Sequence, residues 1–182
     1  GVGQRLMRGR HAAVWAGGAQ PPPGPTATPT LVPTATPVPP ATATPVPGQT
    51  QTITFDDAPG QNIALNGQYP VGVVDWGTNK WYLSAPWQAF TTKSIGFNGA
   101  GPTSATFTFI VPKILVSLQA YNGGSGPSMV TLACAGSPTV QVVVAAGAAP
   151  VTITTGWTTP CTTVTVGSSN GWDSNIDTVV IR

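Results

Sequence analysis

Residues 104–121 read SATFTFIVPKILVSLQAY, and this stretch decides the fold class of the chain. Ala105, Phe107 and Phe109 alternate with threonines. A period of two residues is that of a β-strand with one apolar and one hydrated face. The stretch therefore predicts β-structure.

Short β-prone runs of the same kind continue on both sides of this stretch. Val164 and Val166 also alternate with threonines, and Gly, Pro, Asn and Ser separate the runs. Many short, closely spaced strands without helical periodicity predict an all-β, two-sheet antiparallel β-sandwich of jelly-roll type, with a closed barrel as the alternative. The predicted strands span residues 52–55, 71–76, 81–84, 94–97, 104–111, 115–121, 128–134, 140–145, 151–155, 162–166 and 177–181.

The first 50 residues differ in composition from the rest. Residues 21–50 repeat TATP and VP units without an aromatic residue, so they cannot pack a core. Proline-dense chain is extended, and we predict a disordered or extended Pro/Thr-rich linker here, O-glycosylated or unmodified. Residues 1–20 are predicted to be a disordered leader or a segment that docks on a neighbour. The β-sandwich module is predicted to span residues 51–182.

Charge is scarce along the whole chain. Only 7% of the residues are charged, against about 25% in a typical soluble domain. From Gln51 onward there are four basic and five acidic residues, with no Glu and no His. Such a surface lacks the clustered cations that phosphate binding requires, so nucleic acid is not an expected partner. No apolar run approaches the roughly 20 residues of a membrane helix, so membrane insertion is not expected.

The few acids of the module argue against catalysis. A glycosidase needs an acid and a second carboxylate across the sugar bond, and a serine nucleophile needs a neighbouring base. We therefore predict that the module is not an enzyme, with a pair of aspartates acting on a glycan as the third-ranked alternative. The acids from Gln51 onward are Asp56, Asp57, Asp75, Asp173 and Asp177.

Two cysteines, Cys134 and Cys161, lie in the Thr/Val-rich part of the chain, outside any CxxC motif. One disulfide is the simplest prediction, and two buried free thiols are the alternative. A disulfide suits an oxidising compartment. We therefore predict a secreted protein or one at the cell surface.

Aromatic residues concentrate in residues 74–90, VDWGTNKWYLSAPWQAF. The flat rings of Trp76, Trp81, Tyr82 and Trp87 match the C–H face of a pyranose, and neighbouring amides suit its hydroxyls. These four residues are therefore predicted to bind a sugar. The alternative is that several of the rings fill the core of the sandwich.

A second cluster, SSNGWDSN at residues 168–175, places Trp172 in a polar loop. We predict that Trp172 is an exposed ligand-binding ring, with Asn170, Asp173 and Asn175 as its polar partners. The alternative is a tryptophan that caps the sandwich, with Asn170 and Asp173 bonded to their own backbone.

The two ends of the module, TFDD at residues 54–57 and NIDTVVI at residues 175–181, carry a resemblance to a known superfamily. They resemble the ends of galactose-binding-like jelly rolls, which include many carbohydrate-binding modules. In that superfamily an early acid and a late Asp often hold a structural Ca²⁺. The resemblance implies that Asp56, Asp57 and Asp177 would bind Ca²⁺ together with backbone carbonyls, because calcium takes about six to eight oxygen ligands.

A Pro/Thr-rich linker before a β-module also resembles the architecture of secreted bacterial polysaccharide-degrading enzymes. The predicted function is therefore a non-catalytic extracellular carbohydrate-binding module that targets a larger secreted or surface protein to a polysaccharide or cell-surface glycan. One alternative is a self-assembling structural subunit of an extracellular filament or surface layer, favoured by β edges with few charges. A cell-surface adhesin is another.

Overall fold

The computed structural model describes residues 48–182, together with Gly18 and Gly24. Nearly all of the predicted leader and linker lies outside the described residues, so their boundaries stay predictions. The strands are β1 Gln51–Ile53, β2 Ile63–Leu65, β3 Val74–Asp75, β4 Trp81–Ser84, β5 Ser94–Phe97, β6 Ser104–Lys113, β7 Leu115–Asn122, β8 Ser128–Cys134, β9 Val140–Val144, β10 Val151–Thr154, β11 Cys161–Ser168 and β12 Ser174–Ile181. One 3₁₀ turn, Gly171–Asp173, precedes β12.

The strands form two antiparallel sheets that enclose one core. The seven-stranded sheet has the order β10-β7-β12-β5-β4-β2, and β1 also pairs with β12. The five-stranded sheet has the order β3-β6-β11-β8-β9. The predicted all-β, two-sheet antiparallel sandwich is confirmed.

The period of two residues in β6 places its apolar side chains in this core. Ala105, Phe107 and Phe109 are buried, whereas the threonines between them are partly exposed. Burying a large apolar side chain contributes about 1.5–3 kcal/mol. The aromatic part of the core comprises Phe55, Trp76, Trp81, Phe97, Phe107, Phe109 and Trp157.

Two stretches differ most from the predicted strands, whereas the bounds of the other strands agree with the prediction to within three residues. Strand β2 was not predicted, because its three residues stand alone in a polar segment. The strand predicted over 71–76 is limited to Val74–Asp75, since a turn closed by a hydrogen bond from Val73 N–H to Pro70 O (3.0 Å) precedes it. Strand β4, in contrast, has the bounds that the sequence predicts.

The two ends of the module are joined by a strand pairing, and a disulfide links two strands of the five-stranded sheet. The first strand pairs antiparallel with the last, with Gln51 opposite Ile181. Cys134, at the end of β8, is bonded to Cys161, at the start of β11, with 6.2 Å between their Cα atoms. The predicted disulfide is confirmed, and its loop contains β9 and β10, one strand from each sheet. Within the described residues, no helix is long and apolar enough to cross a membrane.

Candidate functional site

A hollow of about 200 Å³ opens on the outward face of the seven-stranded sheet. Its floor follows one row across three strands, in which Tyr82 of β4 lies opposite Gly96 of β5, and Gly96 lies opposite Asn175 of β12. Because Gly96 has no side chain, the floor between Tyr82 and Asn175 is open. The hollow is lined by Asn62, Tyr82, Ser84, Trp87, Gly96, Phe97, Trp172 and Asn175.

Tyr82 and Trp172 form one aromatic wall. Their ring centroids are 5.3 Å apart with an interplanar angle of 47°. Trp172 is 43% exposed and is carried by the 3₁₀ turn before β12. Gly171 in that turn has φ 50°, and a Cβ there would lie 2.8 Å from Pro102 O, so the turn requires glycine. The exposed position of the Trp172 ring, as predicted, therefore depends on Gly171.

Trp87 forms the opposite wall, on the segment between β4 and β5. That segment is closed by paired backbone hydrogen bonds between Trp87 and Phe90, at 2.9 and 3.1 Å. The Trp87 ring packs edge-on against Tyr121, with 5.7 Å between centroids. It also lies over Gly123, where a Cβ would overlap the indole. The partly exposed Trp87 ring is thus held in place by its contacts with Tyr121 and Gly123.

Asn175 is the most deeply buried polar group of the hollow, with 5% of its surface exposed. Its Nδ2 donates to Ser94 Oγ at 2.8 Å. Its Oδ1 accepts no hydrogen bond from residues 48–182, yet it is not sealed from solvent. A Cβ on Gly96 would lie 3.2 Å from this oxygen. The floor therefore presents one hydrogen-bond acceptor without a protein donor.

The rim adds donors. Asn62 Oδ1 accepts from Ala85 N–H at 3.1 Å, which leaves the Asn62 amide N–H groups without a partner in the described part of the chain. The indole N–H groups of Trp87 and Trp172 also have no acceptor among residues 48–182. None of the eight lining residues is Asp, Glu, Lys, Arg or His. The hollow is therefore built for ring contacts and neutral hydrogen bonds.

Four of the predicted ligand-binding residues, Tyr82, Trp87, Trp172 and Asn175, meet in this hollow. Trp76 and Trp81 do not, and the prediction that they bind a sugar is wrong because both have 0% exposure in the core.

The indole groups of these two core residues are fully used inside the sandwich. Trp76 Nε1–H donates to Tyr69 O at 2.6 Å, and Trp81 Nε1–H donates to Thr106 O at 3.0 Å. Along β4, Trp81 and Leu83 face inward, so Tyr82 faces outward.

Asn170 and Asp173 lie outside the lining of the hollow. The Nδ2 of Asn170 donates to Asn122 Oδ1 at 3.0 Å and to Gly126 O at 2.8 Å. The backbone of Asp173 donates to Asn170 O at 3.2 Å and accepts from Gly123 N–H at 2.9 Å. The Asn170 side chain and the Asp173 backbone thus hold the loop that carries Trp172, and the role of both residues as direct ligands stays a prediction.

Four residues line the hollow but were not predicted: Asn62, Ser84, Gly96 and Phe97. A glycine inside a strand, as in the SIGF of β5, indicates a close approach of another group. That signal points to Gly96. For Asn62 and Ser84 the sequence contains no comparable signal.

Of the three predicted calcium ligands, Asp177 is buried, whereas Asp56 and Asp57 are exposed. Asp177 is 5% exposed, and its Oδ1 is buried without a hydrogen-bond partner among the described residues. Burial raises the pKa of Asp177, and the charge of Asp56 raises it further. No group of three His, Cys, Asp or Glu side chains in residues 48–182 could hold a metal. The predicted calcium site of Asp56, Asp57 and Asp177 therefore stays a prediction.

No protein-family model and no curated protein matches the chain. Among solved structures, the chain is similar to an exo-β-1,3-galactanase from Phanerochaete chrysosporium, crystallised with galactose, at 16% sequence identity and a TM-score of 0.40. The match covers 74% of this chain and 29% of the galactanase chain. A similarity at this level establishes no function for the chain.

Proposed function

We propose that this protein is a non-catalytic, extracellular carbohydrate-binding module whose binding site is the hollow on the seven-stranded sheet. The observation that carries the proposal is the uncharged hollow walled by Tyr82, Trp87 and Trp172. Aromatic faces pack on the C–H face of a sugar ring, while the amides at the rim and floor bond its hydroxyls.

The size of the hollow suits one sugar residue at a time. At about 200 Å³ it lies below the roughly 300–1,000 Å³ of pockets that enclose drug-sized ligands. A site of this kind binds a single ring weakly, and its effect comes from raising the local concentration of an attached protein on the polymer. The Cys134–Cys161 disulfide is compatible with the proposed extracellular location.

The test is a pull-down of the full chain on insoluble polysaccharides, with a glycan array in parallel. Trp172→Ala and Trp87→Ala should each lower retention about tenfold or more, because each removes one wall of the hollow. Val71→Ala is the control, since Val71 is 79% exposed and lies outside the hollow. Equal retention of wild type and both tryptophan variants would reject the hollow as the site.

We also propose that Ca²⁺ stabilises the joined ends of the module. The buried, unpartnered Oδ1 of Asp177 and the nearby charge of Asp56 support this, because two carboxylates that repel each other are compensated by a divalent cation. The ion would neutralise these two groups beside the β1–β12 pairing.

The second candidate function is self-assembly, and one edge of the sandwich favours it. Strand β9, VQVVV, is one of the two edge strands of the five-stranded sheet and contains no charge, proline or register shift. Val143 at this edge is 59% exposed. An unprotected edge of this kind is a template for pairing with another strand.

A matched pair of variants tests the assembly. Val143→Lys places a charge on the edge strand, and Met129→Lys places the same charge on the strand beside it, because Met129 lies directly opposite Val143. If β9 pairs between copies, sedimentation velocity should show assemblies for wild type and Met129→Lys but monomers for Val143→Lys. A monomeric wild-type chain at high concentration would reject this function.

A further inference from the structure

The floor of the hollow contains one polar atom that the fold itself does not use. Asn175 is 5% exposed, its amide nitrogen is bonded to Ser94, and its Oδ1 has no donor among residues 48–182. A nearly buried acceptor without a donor is costly, and its usual partner is water or a ligand group. The atom therefore points to the kind of group that reaches the floor.

The geometry restricts that group further. Gly96 leaves an opening beside Asn175 Oδ1, and even a methyl group at this position would lie 3.2 Å from the oxygen. A hydroxyl is small enough for this space and carries the hydrogen that the oxygen lacks.

The lining of the hollow contains no charged residue that could pair with an ionic sugar. No cation is present there to pair with a carboxylate, and the floor atom is itself an acceptor that a carboxylate would repel. No carboxylate is present to pair with an ammonium group either. Lys93, a basic residue of this domain, is bonded through its Nζ to Ala58 O at 2.6 Å and does not line the hollow.

We infer that the hollow selects a neutral sugar residue that donates one hydroxyl hydrogen bond to Asn175 Oδ1, and that Gly96 is the position that sets this selectivity. The inference rests on the proposed function and narrows it to uncharged sugars over uronic acids and amino sugars. Asn175 and Gly96 then determine which sugar binds, whereas Tyr82, Trp87 and Trp172 supply the contact area.

The first experiment compares polymers with the full chain. Cellulose, galactan, xylan and mannan are the neutral probes, polygalacturonate and alginate are the uronate probes, and chitosan is the amino-sugar probe. Because three arginines lie in the first ten residues, binding is measured in about 0.5 M NaCl, where exposed charges are screened. Only the binding that Trp172→Ala abolishes is counted.

The outcomes separate the two proposals. Trp172-dependent binding to at least one neutral polymer, at least tenfold tighter than to any charged one, supports the inference. Trp172-dependent binding to a charged polymer of equal or greater strength overturns the inference and leaves the carbohydrate-binding function standing. Absence of Trp172-dependent binding to every polymer rejects the proposed function, and the inference with it.

The second experiment tests the floor with a matched pair of glycine variants. Gly96→Ala should lower affinity for the neutral polymer at least tenfold, because its Cβ blocks the approach to Asn175 Oδ1. Gly101→Ala is the control, since a Cβ there meets nothing within 4 Å. Equal affinity of the two variants overturns the assignment of Gly96.

The hydroxyl itself is identified with fluorinated sugars. Methyl glycosides of the bound sugar, each with one hydroxyl replaced by fluorine, lose the donor at one position. One of them should bind wild type about tenfold more weakly than the parent sugar. That difference should vanish in Asn175→Ala if the hydroxyl meets Asn175. Persistence of the difference in a folded Asn175→Ala, or no sensitive position in wild type, overturns the inference.

Discussion

Two sets of tryptophans in this molecule differ in how their indole N–H groups are used. Trp76, Trp81 and Trp157 are buried, and each donates to a backbone carbonyl, at 2.6, 3.0 and 2.7 Å respectively. Trp87 and Trp172, at the hollow, donate to nothing within residues 48–182. A buried indole needs an internal acceptor, whereas an indole that meets solvent or a ligand does not. The state of the N–H thus separates structural rings from candidate ligand-binding rings.

The largest expected effect is on stability, and its absence would contradict the distinction between the structural and the candidate ligand-binding tryptophans. Trp81→Ala should lower the free energy of unfolding by about 3–5 kcal/mol, because it empties a core position. Trp172→Ala should change it by less than about 1 kcal/mol, since Trp172 is 43% exposed and lies outside the core. Urea unfolding of both variants measures the difference. Equal losses of stability would mean that Trp172 is also a structural ring.

Removal of the disulfide should lower the stability of the sandwich without changing sugar binding at the hollow. Cys134→Ala with Cys161→Ala should lower the free energy of unfolding by about 3.5 kcal/mol, from the loop that the bond closes. Neither cysteine lines the hollow, so sugar binding below the unfolding temperature should equal that of wild type. Loss of binding in a variant still folded by circular dichroism would contradict this separation of the two regions.

The third prediction contrasts two unpartnered oxygens on β12, Asn175 Oδ1 at the hollow and Asp177 Oδ1 in a sealed position. Burial holds the pKa of Asp177 above its ordinary value. The folded state then binds the proton more tightly than the unfolded chain. In the presence of a chelator, the free energy of unfolding should therefore fall as the pH rises from the ordinary pKa of Asp towards the raised pKa of Asp177. Asp177→Asn should remove this decrease and be about 1–2 kcal/mol more stable than wild type at pH 7 in chelator.

In the presence of calcium, wild type should instead be more stable than Asp177→Asn. Added CaCl₂ should raise the unfolding temperature of wild type but not that of Asp177→Asn, because the variant lacks the buried carboxylate. Asp173→Asn is the control, since this acid lies outside the proposed pair. An unfolding temperature of wild type that does not respond to CaCl₂ would reject the calcium proposal.

The smallest expected effect concerns the support beneath Trp87. Gly123→Ala should displace the indole, since a Cβ there would overlap it, and should weaken sugar binding several-fold with a loss of stability near 1 kcal/mol. Gly126→Ala, where a Cβ meets nothing within 4 Å, should bind like wild type. Identical binding by the two variants would show that the position of Trp87 does not matter.

The fold was largely predictable because its signal is local. Alternation within β6 identifies its buried face, and the bounds of β4, β5 and β8 follow from the β-prone runs between turn residues. Strand β2 escaped prediction because three residues are too few to show a period. Such short strands are stabilised by pairing with a neighbour, which here is β4.

The candidate site was only partly predictable because it is assembled across strands. Polar and apolar residues alternate along β4, so Tyr82 and Trp81 were separable in principle. Nothing local, however, places Trp172 beside Tyr82 or Gly96 beside Asn175. Those neighbours follow from the order of β4, β5 and β12 in the sheet. Tyr82, Trp87, Trp172 and Asn175 were each predicted to bind a ligand, but the sequence did not predict that they line one hollow.

The pairing of β1 with β12 has a mechanical consequence. Gln51 lies opposite Ile181 at one end of β12, and Asn175 at the hollow lies near the other end. A pulling force that enters at Gln51 and leaves through a polymer held at the hollow therefore runs along β12. Since hydrogen bonds between antiparallel strands are perpendicular to the strand direction, this force shears the paired residues together and does not unzip them one by one. The module is oriented to resist load between its N-terminal strand and its proposed ligand.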